Sequence, residues 1–207
     1  MPIGTVSLAK GQTVSLAKRD SFGDVRVNLN WSQGAPAKAK GLMGLFGAKS
    51  GAGAKVDLDL GCLYELADGT KGCIQALGGD FGSFDRAPFV VLSGDDRTGQ
   101  NADGETMRIN GAHWGKVKRI AFFAFIYEGA ADWKSTDGVV VVEVPGESPI
   151  RVEMGAHPGA ERMCGICEVV NENGRMKVRS LVDFHAGHGA LDKSLGFGLR
   201  WVRGTKD

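Results

Sequence analysis

A chain of 207 residues is long enough for one substantial domain or two small ones, and 43% apolar with 24% charged residues excludes a disordered polymer. A formal net charge of +1 leaves no overall field to draw in nucleic acid or anionic lipid, so nucleic acid is not expected as a partner. Four cysteines (Cys62, Cys73, Cys164, Cys167) make no disulfide framework, and Met1-Pro-Ile-Gly-Thr-Val6 lacks the apolar core of a signal peptide. A reduced, cytoplasmic protein is expected.

The first elements form a repeat. Val-Ser-Leu-Ala-Lys occurs at residues 6–10 and again at 14–18, and reads as two short strands around the turn Lys10-Gly-Gln-Thr13, as a hairpin or a bent strand. From Asp24 to Trp31 the chain alternates, with Val25, Val27, Leu29 and Trp31 on one face, which predicts a half-buried strand anchored by Trp31. Residues 32–54 break the pattern with Gly, Ala, Lys and Ser and read as a mobile insertion. Within it, Gly41-Leu-Met-Gly-Leu-Phe-Gly47 is an apolar stretch suited to touching a membrane or a partner. Gly47-Ala-Lys49-Ser50 fails the spacing of a phosphate-binding loop and is rejected as one.

From Val56 the rhythm is β. Strands are predicted up to Leu66, over Cys73–Leu77, Phe89–Leu92, Thr106–Asn110 and Arg119–Tyr127, with Asp68-Gly69 as a hairpin turn. Further strands follow over Gly138–Val144, Ile150–Met154, Cys164–Val170 and Met176–Val182, with Asn173-Gly174 turning between the last two. The run Ile120–Ile126 is too short to span a bilayer and reads as a buried strand whose Phe123 and Phe125 join the inner core. Only Gly187–Leu195 and a shorter stretch at Ala130–Ser135 look helical. Short strands at regular spacing with turn residues between them predict an all-β fold: a two-sheet β-sandwich with one or two short peripheral helices, in a single domain over 1–207.

Two stretches carry the functional signal. In Lys55-Val-Asp-Leu-Asp-Leu-Gly-Cys62, a strand would turn Asp57 and Asp59 to one face, about 6–7 Å apart, opposite Val56, Leu58 and Leu60. Aspartate is disfavoured in strands, so a pair on one face points to a shared cation or a partner base. The loop Ser93–Glu105 gathers Asp95, Asp96, Asp103 and Glu105 with three glycines. So many like charges repel unless a cation sits among them, and Ca²⁺ takes its oxygens from carboxylates and backbone carbonyls. The loop does not follow the EF-hand pattern, since Arg97 and Gln100 stand at its third and sixth positions counted from Asp95. Any site must therefore be assembled from separate segments. The metal candidates are Asp57, Asp59, Asp95, Asp96, the carbonyl near Gly99, Asp103 and Glu105.

The combination Val56-Asp-Leu-Asp-Leu-Gly-Cys-Leu-Tyr-Glu-Leu66, Gly94-Asp-Asp-Arg-Thr-Gly99, Gly104-Glu105 and Phe125-Ile-Tyr-Glu-Gly129 resembles the TerD-domain family of tellurium-resistance and stress proteins. Asp-Leu-Asp-Leu-Gly-Cys and the carboxy-terminal Gly198-Leu-Arg-Trp201 resemble its TerA-like branch, and the repeated amino terminus resembles the family's usual start. The resemblance covers nearly the whole chain. It implies a β-sandwich, binding of one or two calcium ions, and a part in resistance to tellurite and other stress. It also implies related tellurium-resistance proteins as partners in a membrane-associated complex, at the inner face of the membrane. Members commonly carry Gly-Asp-Asp-Glu where this chain has Ala102-Asp-Gly-Glu105, so one carboxylate of the pattern is missing.

Rival chemistries are weaker. Cys164-x-x-Cys167 and His185-x-x-His188 offer zinc-type ligands, but the histidine spacing is short for a finger, and strand residues three apart face opposite sides. A metal- or carboxylate-dependent enzyme would need an acid–base pair, and His113, His157, His185 and His188 are at hand, yet no nucleophile or dinucleotide motif accompanies them. The expectation is a calcium-binding module with a scaffold role rather than an enzyme.

Overall fold

The structure is a computed structural model, and it describes residues 4–31, 57–93, 104–128, 133, 136–155, 157 and 159–202. The expected insertion at 32–54, with its apolar stretch 41–47, and most of the expected helix at 130–135 lie outside the described residues.

The described strands, in chain order, are β1 (Val6–Ser7), β2 (Thr13–Ser15), β3 (Asp24–Asn30), β4 (Asp57–Leu66), β5 (Lys71–Ile74), β6 (Gly82–Ser83) and β7 (Val90–Leu92). They continue as β8 (Glu105–Asn110), β9 (Val117–Glu128), β10 (Val139–Glu143), β11 (Ile150–Glu153), β12 (Met163–Glu172) and β13 (Arg175–His185). A 3-10 helix (Gly111–Lys116) joins β8 to β9, and one α-helix, α1 (His188–Leu195), follows β13. Two sheets result, in the orders β1-β11-β10-β3-β8-β7-β6 and β2-β13-β12-β9-β4-β5. The expectation of an all-β two-sheet sandwich with a short peripheral helix holds. No helix among the described residues is long and apolar enough to cross a membrane.

Alternation explains the core. Val25, Val27 and Leu29 of β3, Met107 and Ile109 of β8 and Val140 and Val142 of β10 meet Leu58 and Leu60 of β4 and Phe122, Ala124 and Ile126 of β9. All but Ile126, at 1%, are 0% exposed, so each inward row is removed from water completely. Trp31 packs against this core only half-buried, one residue beyond β3, while Trp114 and Trp133 are the buried tryptophans.

Two expectations are corrected. Phe123 and Phe125 do not enter the inner core. They lie on the outer face of the second sheet, where Phe123 joins Leu63, Ala121, Met163, Leu191 and Phe197, with Phe125 packed against them. A nearly continuous apolar run has no alternation to reveal its faces, and β9 is apolar on both because α1 and the carboxy-terminal tail cover its outer side. Nor do the two copies of Val-Ser-Leu-Ala-Lys form a hairpin with each other. β1 pairs in parallel with β11 in one sheet and β2 pairs antiparallel with β13 in the other, so the repeat crosses between sheets. Each copy supplies a buried leucine, Leu8 and Leu16.

Smaller shifts have local causes. β7 begins at Val90 because Phe89 sits at φ 62°, in the left-handed region that ends an extended strand. Asn173 and Gly174, at φ 55° and 86°, make the expected tight turn between β12 and β13.

Candidate metal site

β4 is half-covered along one edge. Its partner β5 matches only Cys62–Glu65, whereas β9 runs along the whole of its other side. Among the described residues, the stretch Asp57–Gly61 therefore has no strand on the β5 side. Leu58 and Leu60 point into the inter-sheet core, and Asp59, opposite Phe125 on β9, points out with the second cluster. Over Leu58–Leu60 the expected alternation is present. Asp59 is only 1% exposed and Asp57 half-buried.

Glu105 arrives from the other sheet. It is the first residue of β8, and the pattern Glu105, Met107, Ile109 turns all three inward. Gly104 makes this entry feasible: it has φ 63°, and a Cβ there would collide with the carbonyl oxygen of Leu29. Glu105 is 2% exposed, and its Oε2 accepts the backbone N–H of Leu60 at 2.6 Å. A carboxylate on the inward row of one sheet thus reaches β4 in the other, one residue from Asp59. Asn28 steadies the start of β8 by donating to Thr106 Oγ1 at 2.9 Å.

The acidic loop springs from this point. Leu92 pairs with Met107, Ser93 N–H donates to the Thr106 carbonyl at 2.9 Å, and the described chain stops at Ser93 and resumes at Gly104. Asp95, Asp96, Gly99 and Asp103 lie outside the described residues. Of the seven candidates the structure thus describes Asp57, Asp59 and Glu105. Among the described residues no three Cys, His, Asp or Glu side chains come together as a metal centre. The donor chemistry nevertheless suits a hard divalent cation: all three are carboxylates, and Asp59 and Glu105 are almost fully removed from water.

What the sequence missed is the direction of Glu105. Its alternation with Met107 and Ile109 was the available signal, but the sequence placed the strand from Thr106 and left Glu105 at the end of the acidic loop.

Phe125, opposite Asp59 in the β4–β9 register, belongs to an aromatic group. His188, at the start of α1, stands edge-on to Phe123 and Phe125 with ring centroids 5.4 Å away in each case, and 5.0 Å from Trp201. Its Nε2 lies 2.6 Å from Gln75 Oε1. Burial pushes the pKa of His188 below its ordinary value.

The zinc reading finds no support. A bulge between Gly165 and Cys167 puts Cys164 and Cys167 into the same inter-sheet core, against the expectation that they face opposite sides. His188 lies beyond the outer face. All four cysteines are free. Burial raises every thiol pKa, that of Cys73 and that of Cys167 each to about 12, so none is poised as a thiolate.

The chain is 42% identical over 205 residues to the tellurium resistance protein TerA of an Alcaligenes species, an overlap of 99% of this chain and 59% of that protein. It therefore spans about three fifths of the length of that relative. It is 33% identical over 164 residues to the tellurium resistance protein TerZ of Serratia marcescens, covering 74% of this chain and 79% of that one. No protein-family model matches the chain. In three dimensions it resembles the crystal structure of SAV2460, a protein of unknown function, with a TM-score of 0.56 and 14% identity over 87% of this chain and 99% of that one. It also resembles a homologue of the telluride resistance protein TerD from Streptomyces coelicolor A3(2), with a TM-score of 0.51 and 16% identity over 83% and 95% of the two chains.

Proposed function

The chain belongs to the TerD-domain family of tellurium-resistance proteins, in its TerA-like branch, and from that premise we propose that it is a calcium-binding module of tellurite and stress resistance. Asp57, Asp59, Asp95, Asp96, Asp103 and Glu105, with the carbonyl near Gly99, are the ligands, and one or two ions bind. The module acts by binding and assembly, with related tellurium-resistance proteins as partners at the cytoplasmic face of the membrane, and not by catalysis.

The observation that carries this reading is a pair of nearly fully buried carboxylates at neighbouring positions along β4, Asp59 on the strand itself and Glu105, whose Oε2 accepts from the Leu60 N–H. Each is nearly fully buried, each comes from a different sheet, and the loop with the remaining candidates starts and ends beside them. Carboxylates are the oxygen ligands that a hard divalent cation takes. The raised thiol pKa values favour binding over thiol-based reduction of tellurite.

Calorimetric titration of chelator-treated protein with Ca²⁺ tests the proposal. Calcium should bind and raise the unfolding free energy by about 2.7 kcal/mol when free ion is a hundredfold above its dissociation constant. Mg²⁺ should replace it poorly, because it demands a tight octahedron and holds its waters. Asp59→Asn and Asp57→Asn should weaken binding. If there is no heat of binding and melting is the same in calcium and in chelator, the carboxylates serve the fold alone.

A further inference from the structure

We propose that the far end of β4 from Asp57 carries a binding site of its own, a recess for a small zwitterion with an apolar body, of the kind a free hydrophobic amino acid presents. The site stands apart from the calcium reading above.

The recess lies where three turns meet. The β4–β5 hairpin brings Leu66, Ala67 and Asp68, the loop into β7 brings Ala87 and Phe89, and the 3-10 helix brings Gly115 and Lys116. Together they line about 380 Å³, within the range of small-ligand sites. β4 is ten residues long, so its Leu66 end is about 30 Å from Asp57. Backbone bonds fix the walls. Ala67 N–H donates to the Lys116 carbonyl at 2.9 Å, which ties the hairpin to the 3-10 helix. Phe89 is held on both sides: its N–H donates to the Arg86 carbonyl at 2.7 Å, and its carbonyl accepts from Asn110 N–H at 2.8 Å. At φ 62° Phe89 is a backbone outlier for a bulky residue. Such conformations persist where the surroundings over-determine them, and they gather at ligand sites.

The lining decides what fits. Leu66, Ala67, Ala87 and Phe89 make it apolar, and Phe89 is backed by His113, stacked on its ring with centroids 4.4 Å apart. Asp68 and Lys116 are its two charges. Among the described residues Lys116 has no carboxylate partner; its Nζ lies 5.2 Å from the ring centre of Phe89 instead. Asp68 Oδ1 accepts from Thr70 N–H at 2.9 Å, and a carboxylate has capacity for further donors. A simple anion would gain Lys116 but face Asp68, and a simple cation would meet the reverse. A molecule with both an ammonium and a carboxylate pairs with each, while its apolar part covers Phe89 and Leu66. Like-charge contact thus works against either half alone.

Nuclear magnetic resonance titration of the isotope-labelled protein tests this, with L-phenylalanine, phenylacetate and phenethylamine as probes at equal millimolar concentrations. Phenylalanine should shift the amide signals of Ala67, Phe89 and Gly115 saturably. The two single-charge probes should bind more weakly, on the order of threefold each, the range of an exposed ion pair. Lys116→Met should weaken phenylalanine by a similar factor without weakening phenethylamine. Asp68→Asn keeps an oxygen for the Thr70 amide and should weaken phenylalanine without weakening phenylacetate. Gly115→Leu should abolish the shifts by filling the recess, and the fold accepts it because a Cβ there meets nothing within 4 Å. No saturable shift with any probe, shifts confined to other parts of the surface, or undiminished binding in Gly115→Leu would overturn the site. Phenylacetate or phenethylamine binding as tightly as phenylalanine would overturn the assignment of a zwitterion.

Discussion

Asp192 holds the carboxy-terminal tail to the sandwich. It is 4% exposed, and its carboxylate accepts from the backbone N–H of Gly198 at 2.7 Å, that of Leu199 at 2.9 Å and the indole N–H of Trp201 at 2.9 Å. Hydrogen bonds to a charged group are the stronger kind, and removal of the acceptor strands three donors. Asp192→Ala should cost about 2–4 kcal/mol in urea denaturation, with Asp192→Asn milder; a loss within experimental error would mean that the tail is held by its apolar contacts alone. His188 sets a pH dependence. Burial lowers its folded pKa below 6.5, so the unfolded chain binds its proton first as pH falls. Stability is therefore full above about pH 6.5 and declines below it. His185, whose pKa burial also lowers, adds to the same limb. His188→Gln should flatten part of this slope between pH 7 and 5 while the steeper loss under acid conditions persists. An unchanged slope would place the titration elsewhere.

At the level of elements, a ladder of charges on the outer face of the second sheet fastens α1. Glu65 on β4 accepts from Lys118 at 2.7 Å and from Arg119 on β9 at 2.8 Å. Glu168 on β12 accepts from Arg119 at 3.4 Å and from Arg179 on β13 at 2.9 Å. Arg119 also donates to the carbonyls of Leu195 at 2.9 Å and Gly196 at 3.2 Å, the end of α1, and lies 4.0 Å from the ring centre of Phe197. A cation at a helix carboxy terminus satisfies open carbonyls and complements the dipole. Burial works to raise the Glu65 pKa, but the bonds from Lys118 and Arg119 outweigh it and hold the pKa below 4.5. This stability is present above that value and is lost as pH falls through the lower folded pKa. Arg119→Met should destabilise by about 3–5 kcal/mol, because it leaves two buried carboxylates short of a partner. Arg119→Lys should rescue little, since one ammonium cannot reproduce the guanidinium fork. Equilibrium unfolding checks both, and a Lys variant as stable as wild type would reduce the ladder to simple charge balance.

At the scale of the whole molecule, the amino-terminal repeat is the clamp between the sheets. β1 extends one sheet and β2 the other, and between them Gly11 N–H donates to the Ser180 carbonyl at 2.9 Å while Ser180 N–H donates to that of Gln12 at 2.9 Å. Lys10 adds an ion pair to Asp183. The two buried leucines, Leu8 and Leu16, are the apolar part of the clamp. Leu8→Ala and Leu16→Ala should each cost about 2–5 kcal/mol, in the range for large-to-small changes in a core. The double variant measures their coupling: a sum of the single losses means independent anchors, and a smaller total means that the segment releases as a unit. If both single variants melt like the wild type, the crossing segment clamps nothing.

How much was legible follows from whether neighbours along the chain or neighbours in space decide a feature. Alternation in β3 and at Leu58–Leu60 named the faces correctly, because apolar and polar residues take turns along both stretches. The Asn173-Gly174 turn and α1 were equally local in origin. Membership of a tellurium-resistance family was legible for the same reason, since its motifs are short contiguous strings. β9 was not: covered on both faces, it had no period, and only the packing of α1 and the tail shows that Phe123 and Phe125 lie outside the main core. The repeat could not reveal that its halves join different sheets, because their partners β11 and β13 lie far along the chain. Nor could any local rule foresee that Glu105 reaches the Leu60 amide. That contact exists because β5 stops short of β4, and only the tertiary structure decides what fills the edge it leaves.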